Sequence, residues 1–501
     1  MENREDRETT YEHVIKYTGL FGGIQGLSLF INVARTKLSA YFLGPAGTGL
    51  IALLMNLVAL IHQSTSFGIS FSAIKYVAEK FERGEENEIR RFAATVRVWC
   101  LVTGLLGMLV ACVVAQLVEW TDKVNIYLVA PIIAVMAVTA GEQAILKGTK
   151  QLKRIALISI GCTVTMLLVC TPLFWALRVK GVALALLLSF LVQLVITLHY
   201  STKAYAYRLD LAGNRALKSG VPMMVLGVGY VVAGVFGQGA EYVIRHCILD
   251  QFPDMNEGNV MVGLYTAGYS IMVTYASYVF TAIEVDYFPR LTAVAGDRVK
   301  MNATVNQQIE VCALMMAPLL VGIVLFAPHI VHLFYTHGYD KAIPMTVTSA
   351  VYMYCRAFSM PIEYLALAKG DSKMFMTVEL VYNVLLAVMM TTAFRWFGLL
   401  GCGVALSMIG VVNMCVVMWV YRWRYGFVFS WRLGRVYVVQ LGLVVAAVLA
   451  VMHGVLTFSP WVKWTVGPLC LAVSAWISLG RLRGALEALR GRVKLYLQRW
   501  R

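Results

Sequence analysis

The segment YFLGPAGTGL, Tyr41–Leu50, sets three glycines and a proline between two long apolar runs. It fits either a phosphate-binding loop or a turn that reverses the chain at a membrane surface. A phosphate-binding loop of the GxxxxGK[ST] type needs a Lys followed by Ser or Thr after its last glycine, between a strand and a helix. Leu50 follows Gly49 here. The turn is favoured, because glycine tolerates positive φ and proline presets the φ that begins a turn.

The composition predicts an all-α polytopic membrane protein. Hydrophobic residues make up 59% of the chain, charged residues 14%, and the mean hydropathy is +0.71. Soluble domains average roughly 45–50% apolar and about 25% charged residues. The apolar runs lack the in/out alternation of a barrel strand, so they predict helices whose backbone groups are satisfied internally.

Fourteen apolar runs approach the roughly 20 residues that a membrane-spanning helix needs. The eleventh and twelfth are separated only by a turn near Phe397, so the prediction is 12–14 spans. The acidic segment 1–13 does not resemble a cleaved signal peptide, and the run from Val14 is expected to act as an uncleaved signal-anchor. The ten cysteines are scattered singly, which predicts neither a disulfide framework nor a metal site.

The distribution of Lys and Arg predicts that both termini are cytoplasmic. The basic loops are KGTKQLKR (147–154), KGDSK (369–373) and the segment 421–435, whereas DQFPDMNEGN (250–259) and YTHGYDK (335–341) are acidic or nearly neutral. Short loops rich in Lys and Arg stay on the cytoplasmic side. The net charge of +16 is explained by these loops and by the tail, without a nucleic-acid partner.

An internal repeat organises the chain. GPAGTGL at 44–50 corresponds to GNVMVGL at 258–264, a shift of 214 residues, and LKGTK at 146–150 corresponds to AKGDSK at 368–373. GVAL occurs at 181–184 and again at 403–406, and the last two correspondences share a shift of 222. Because each copy holds an even number of spans, the copies share one orientation, the parallel-repeat arrangement of some transporters.

The repeat predicts two homologous six-helix bundles, followed by two further transmembrane helices. The boundaries are a cytoplasmic segment 1–13, bundles 14–203 and 217–421 joined by a cytoplasmic linker 204–216, extra helices within 436–479, and a basic cytoplasmic tail 480–501. The tail has the apolar stripe of an amphipathic helix. It fits either a helix on anionic lipid or an ordinary positive flank.

Several of these stretches together resemble a known family. LGPAGTGLIALLMNL (43–57), GISFSAIKYVAEKFE (68–82), LKGTKQLKRIALISIG (146–161) and the segment 263–291 are similar to the O-antigen translocase and lipid III flippase branch of the multidrug/oligosaccharidyl-lipid/polysaccharide (MOP) exporter superfamily. The resemblance covers about 14–421 and implies a MATE-like double bundle. The two extra helices depart from the twelve-helix pattern of that branch, although fourteen-helix members exist.

The resemblance implies a bacterial inner-membrane flippase without a cofactor. Its substrate would be an undecaprenyl-diphosphate-linked glycan, moved by alternating access from the cytoplasmic to the periplasmic leaflet. Membrane lipids, and polysaccharide polymerase and chain-length proteins, would be its partners, and the protomer would be a monomer. Lys37 and Lys75 match lysines of the family, whereas Glu284 and Asp286 stand where that branch has uncharged residues.

Ionisable residues inside the predicted spans are the candidates for the site. Such residues are costly in a bilayer and usually face a cavity or a partner. Arg35 and Lys37 are expected either to bind diphosphate or acidic sugars or to snorkel to the outer surface, and a guanidinium suits phosphate oxygens. Lys75 and Arg97 lie nearer the inner surface, with the same two interpretations.

The remaining candidates combine both signs of charge. Glu142 is expected to pair with Lys147 or to face a cavity. Glu241 and Arg245 are spaced i,i+4 and are expected to pair. Arg356 and Glu363 share a helix face and would offer a cation to pyrophosphate and a carboxylate to sugar or a proton. Glu284 and Asp286 either titrate in ion coupling or are solvated at the inner surface.

Three function classes are compatible with a chain of this kind. A lipid-linked oligosaccharide flippase is favoured, because the cations within the spans suit a diphosphate. A cation-coupled multidrug exporter of the same superfamily is the alternative, and this function would require a compact apolar and acidic pocket. A polymerase or ligase is disfavoured, because the longest predicted outside loop has only about ten residues.

Overall fold

Most described residues lie in helices. The computed structural model describes residues 4–119, 121–209, 216–457 and 460–498, without the side chains of 4–26, 281–286 and 482–498 among others. Within these ranges no strand occurs, which confirms the all-α prediction. Eight helical stretches there are long and apolar enough to cross a membrane, so the protein is a multi-pass membrane protein.

The chain forms two compact units, and the first comprises Met1–Gly263 together with Phe334–Thr336. In this unit α4 packs between α3 and α6, α5 packs against α1 and α6, and α7 packs against α1. Its helices are α1 (Arg4–Thr65), α2 (Ile69–Glu82), α3 (Glu86–Leu117), α4 (Lys123–Gly148), α5 (Leu152–Leu177), α6 (Val182–Thr202) and α7 (Ala216–Leu249).

The second unit comprises Leu264–Leu333 and His337–Arg501. In it α10 packs against α13, α15 and α16, and α13 packs against α14. The remaining helices of the chain are α8 (Met255–Tyr269), α9 (Tyr278–Val294), α10 (Arg298–Leu325), α11 (Ala327–Phe334), α12 (Ile343–Thr348), α13 (Ala350–Ala368), α14 (Ser372–Tyr425), α15 (Trp431–Thr457) and α16 (Pro460–Gln498).

The two helices predicted behind the second bundle are α15 and α16, which are joined by a buried polar contact. The Gln440 amide nitrogen donates to the Ser474 carbonyl and to the Ser478 hydroxyl, both at 3.2 Å. The Ser474 hydroxyl donates to the Gln440 side-chain oxygen at 2.6 Å. α16 continues through the predicted tail to Gln498, although the tail's side chains lie outside those described.

Helix α1 is interrupted at a single residue, Gly44, which divides it into a first arm before Gly44 and a second arm after it. Gly44 has φ 64° and ψ −174°, and the helix resumes at Pro45. This confirms the predicted turn with a positive-φ glycine, and the turn takes up only that residue. One of the fourteen apolar runs, 50–78, does not form a single helix, because α1 ends at Thr65 and Phe67 and Gly68 both have positive φ before α2 begins.

The second glycines of the repeated motif make a close backbone contact. A Cβ added at Gly49 would lie 1.9 Å from the Asn259 carbonyl oxygen, and one added at Gly263 would lie 2.0 Å from the Pro45 carbonyl oxygen. Both glycines belong to the first unit. Their role is therefore close packing of the second arm of α1 against α8, and no turn is formed by either of them.

The turns of the two repeat copies correspond in the structure. Lys150 and Arg178 have φ of 56° and 53°, and Gly370 and Gly398 have φ of 71° and 59°. Both pairs are offset by 220 residues. Gly398 divides α14 as Arg178 divides α5 from α6, so α14 contains the two spans predicted on either side of Phe397.

The first compact unit extends past the predicted linker to include α7. A Cβ at Gly227 would lie 2.5 Å from the Phe67 carbonyl oxygen, and one at Gly234 would lie 2.2 Å from the Gln63 amide nitrogen. These glycines let α7 approach α1 and the turn that follows it. The bundle boundaries derived from the repeat stay a prediction.

Candidate functional site

Arg97 and Glu142 form a fully buried ion pair in the first unit. Arg97 Nε donates to Glu142 Oε1 at 2.7 Å and Arg97 Nη2 donates to Oε2 at 3.0 Å. The same guanidinium donates to the carbonyls of Ala206 and Tyr205, at 2.7 and 2.9 Å. The Ser201 hydroxyl donates to Glu142 Oε2. The pair therefore joins α3, α4, α6 and the segment after α6.

This bonding changes the interpretation of both residues. Glu142 pairs with Arg97 on another helix, so the intrahelical partner expected for it, Lys147, was wrong. Four of the five guanidinium N–H donors of Arg97 are used. Both side chains are at least 97% buried. Because only one guanidinium N–H donor is left for a ligand, the geometry favours a structural role. Arg97 and Glu142 act as a structural clamp that holds α3, α4 and α6 together.

Arg356 and Glu363 form a second ion pair, on α13 of the second unit. Arg356 Nη1 donates to the two carboxylate oxygens of Glu363 at 3.2 and 2.9 Å, and the Asn413 amide donates to Glu363 Oε1 at 2.9 Å. The Arg356 guanidinium carbon lies 5.9 Å from the centre of the Tyr382 ring. The Tyr382 and Tyr352 hydroxyls are 2.7 Å apart.

A further carboxylate belongs to this cluster and was missed in the sequence. Glu379 of α14 lies within electrostatic range of Arg356 and Glu363, and its Oε1 accepts a hydrogen bond from the Asn383 amide at 3.2 Å. Its sequence signal was present: a lone Glu within an apolar run. The Arg356 cluster, defined by Arg356, Glu363 and Glu379 with Tyr352, Tyr382 and Asn413, thus holds two carboxylates and one guanidinium.

Glu241 and Arg245 pair as the i,i+4 spacing predicts. Arg245 Nη1 lies 2.8 Å from Glu241 Oε2 on α7. One residue further along, His246 lies 3.6 Å from the Asp250 carboxylate and stacks on Tyr242. His246 and Asp250 line a cavity of about 400 Å³ with the ends of α3 and α7.

Arg35 and Lys37, on the first arm of α1, differ from these pairs. Arg35 is partly buried, and its guanidinium donates to the Met166 sulfur, a weak acceptor. Among the described residues it forms no ion pair with a carboxylate. The Lys37 ammonium donates to the Tyr335 carbonyl. Arg35 is thus a cation within a spanning helix whose charge no carboxylate of the described residues neutralises.

The other predicted candidates lie apart from these groups. Lys75 is exposed on α2 and lies 3.9 Å from the Glu79 carboxylate. Glu284 and Asp286 lie on α9, but their side chains are outside those that the structure describes. Their part in binding or ion coupling stays a prediction.

The sequence did not predict a polar cavity of about 360 Å³ in the first unit. α1, α2 and α4 line it, together with the turn after α1. Lys147 supplies its cation, and hydrogen-bonding side chains surround it. The polar lining residues are His62, Gln63, Ser66, Ser70, Gln143 and Lys147.

Solved structures similar to this chain include membrane transporters of the MOP superfamily. The chain is similar to an inward-facing multidrug resistance MATE family transporter, with a TM-score of 0.65, 15% identity and coverage of 80% of this chain and 94% of that one. It is similar to the lipid II flippase MurJ in an inward closed conformation, with a TM-score of 0.65, 14% identity and coverage of 92% and 99%.

A MOP superfamily transporter from Pyrococcus furiosus is also similar, with a TM-score of 0.54, 15% identity and coverage of 82% and 94%. At such identities the likeness shows the fold alone. Among curated proteins none matches the sequence. A family model described as polysaccharide biosynthesis protein matches residues 39–344, and the chain belongs to this family.

Proposed function

We propose that the protein is a flippase for an undecaprenyl-diphosphate-linked oligosaccharide in O-antigen or related polysaccharide synthesis. It moves this lipid from the cytoplasmic to the periplasmic leaflet of the bacterial inner membrane by alternating access. Membership of the polysaccharide biosynthesis family supports this function. The fold supports it too, since MurJ, which is similar in fold, is a lipid II flippase.

The observation that carries the proposal is the environment of Arg35, which has no carboxylate partner among the described residues. A guanidinium inside a spanning helix is costly unless a cavity, water or a partner compensates its charge. Arg97, Arg245 and Arg356 each have a carboxylate partner, but Arg35 has none among the described residues. A diphosphate supplies the missing negative charge and accepts bidentate hydrogen bonds from a guanidinium.

The polar cavity beside Lys147 also suits the headgroup of such a substrate. Its volume of about 360 Å³ lies within the range of about 300–1,000 Å³ typical of small-ligand pockets. Gln63 and Gln143 offer amide donors and acceptors that match sugar hydroxyls, and Lys147 offers a point charge to phosphate. We assign this cavity to the headgroup on the cytoplasmic side.

The proposal places both termini in the cytoplasm, as the Lys and Arg distribution indicates. The protomer acts as a monomer in contact with membrane lipids. Polysaccharide polymerase and chain-length proteins receive its product in the periplasmic leaflet.

The second candidate is a cation-coupled multidrug exporter of the same superfamily. The Arg356 cluster favours it, because two carboxylates, Glu363 and Glu379, outnumber the single guanidinium. A pair of carboxyl groups beside one guanidinium suits a cationic drug or a coupling ion. The likeness to a MATE transporter is compatible with this function.

Proteoliposomes carrying a fluorescent undecaprenyl-diphosphate oligosaccharide test the two functions. We expect an external sugar-modifying enzyme to reach more than one leaflet's share of the lipid only when the protein is present. Arg35→Ala should slow this about tenfold or more, because a hydrogen bond to a charged group contributes about 1.5–3 kcal/mol. Arg395→Ala, which removes an exposed arginine, is the matched control. Movement of a small cationic dye with no movement of the lipid would favour the exporter.

A further inference from the structure

Two histidines and an aspartate converge on one point of the second unit. His332 lies near the end of α11, and His337 and Asp340 lie in the short 3-10 helix that follows it, His337–Ala342. One ligand atom from each residue lies within 4.8 Å of those of the other two. His332 Nε2 is 2.5 Å from Asp340 Oδ1, and the centres of the two imidazole rings are 4.0 Å apart.

The backbone holds these side chains in place. Val331, next to His332, is fully buried, and so is Tyr339, which lies between His337 and Asp340. The side chains of His332 and Asp340 are 31% and 54% exposed, so an ion from solution reaches them. Buried neighbours therefore fix the backbone that carries the three side chains, and the side chains stay accessible to an ion.

We propose that His332, His337 and Asp340 bind a divalent transition-metal ion, with Zn²⁺ as the best match. Zn²⁺ takes imidazole nitrogen at about 2.0–2.1 Å and carboxylate oxygen at about 2.0–2.2 Å, and three protein ligands leave a position for water. Ligands at those lengths lie about 3–4 Å from one another. The observed convergence within 4.8 Å therefore needs only small side-chain rotations.

The ion fastens a short segment of the chain. His332 and His337 enclose four residues, 333–336, and the carbonyl of Tyr335 within them accepts the hydrogen bond from Lys37. A metal bound by both histidines closes this segment into a loop with fixed ends. The site is independent of the proposed transport function, because it rests on no substrate contact.

The test uses the full-length protein, purified through a tag without histidine, stripped with chelator and titrated with Zn²⁺ by calorimetry. We expect one tightly bound ion per chain. His337→Ala and Asp340→Asn should each weaken binding tenfold or more, since even loss of an outer-shell partner of a metal ligand costs about 10–100-fold. The control is His329→Ala. His329 lies on α11 with His332 but outside the group of three ligands, so this variant should bind Zn²⁺ like the unaltered protein.

Hydrogen exchange localises the effect and controls for folding. Zn²⁺ should slow exchange in the peptide that spans 330–342 in the unaltered protein and in the His329 variant. Zn²⁺ should not change hydrogen exchange in the His337 variant. In chelator, that variant should melt at the same temperature as the unaltered protein. Absence of stoichiometric binding would overturn the proposal. Equal loss of Zn²⁺ binding in the His329 and His337 variants would also overturn the proposal.

Discussion

Gly49 and Gly263 occupy equivalent positions of the repeated motif, and each lies where a Cβ would meet the backbone of the other copy. A Cβ on Gly49 would fall 1.9 Å from the Asn259 carbonyl oxygen, and a Cβ on Gly263 would fall 2.0 Å from the Pro45 carbonyl oxygen. Neither glycine has positive φ. The requirement for glycine is therefore one of close approach between helices, as in other membrane helix contacts built on small residues.

Gly49→Ala should destabilise the protein. The added methyl overlaps a carbonyl oxygen of backbone, which cannot move aside as a flexible side chain would. Overpacking of this kind costs about 1–3 kcal/mol. Gly239→Ala on α7 is the matched control, because nothing lies within 4 Å of its Cβ position. Thermal melting in detergent measures both, and equal melting temperatures would refute the close-approach role.

The Arg97–Glu142 pair should behave as a structural clamp. Arg97→Met leaves a buried, unpaired carboxylate, and loss of one partner of a buried pair costs about 3–5 kcal/mol. The double variant Arg97→Met with Glu142→Met should recover most of the loss, since no charge is then left unpaired. Comparing the melting temperatures of the unaltered protein and the two variants shows whether the pair has this structural role. If Arg97→Met melts like the unaltered protein but fails in transport, Arg97 serves the substrate instead.

The contact between α15 and α16 should show coupling between Gln440 and Ser474. Hydrogen bonds between membrane helices contribute about 0.6 kcal/mol on average and at most about 1.7 kcal/mol. A double-mutant cycle of Gln440→Leu and Ser474→Ala, measured by unfolding, should give a coupling energy in that range. Strictly additive effects would show that the hydrogen bond from the Ser474 hydroxyl to Gln440 does not stabilise the helix pair.

Asp371 should make stability depend on pH at the start of α14. Hydrogen bonds from the Met374 backbone N–H and from Arg424 hold the pKa of its carboxyl below the usual range. Because the folded pKa is lowered, the stabilisation is present above the unfolded pKa of about 3.9 and is lost as pH falls through the folded value. The melting-temperature difference between the unaltered protein and Asp371→Asn should therefore be largest near neutral pH and shrink in acid. A constant difference would contradict this.

Local spacing in the sequence predicted some of these features. The i,i+4 pair Glu241–Arg245 follows from helix geometry alone, and the all-α class follows from the near-continuous apolar runs. Positive φ recurs at Lys150 and Gly370, 220 residues apart, whereas the repeat aligns Gly148 with Gly370 at a shift of 222. Each of these depends on residues near in sequence or on self-similarity.

Contacts between helices were beyond such reasoning. Arg97 and Glu142 are 45 residues apart, and in apolar helices no polar face indicates which side meets which neighbour. Glu379 lay unnoticed in an apolar run, and the grouping of His332 with Asp340 depends on how α11 ends. The GPAGTG glycines predicted a turn, while Gly49 proved to be a packing residue, because sequence alone does not tell positive φ from close approach.

The most direct test of a diphosphate site at Arg35 compares two lipids in the same proteoliposomes. One carries the oligosaccharide on undecaprenyl diphosphate, and the other carries the same oligosaccharide on a neutral polyprenyl ether. We predict that the protein flips the diphosphate lipid at least about tenfold faster, and that Arg35→Gln removes most of this preference. Equal rates for the two lipids, or a preference that survives in Arg35→Gln, would contradict such a site.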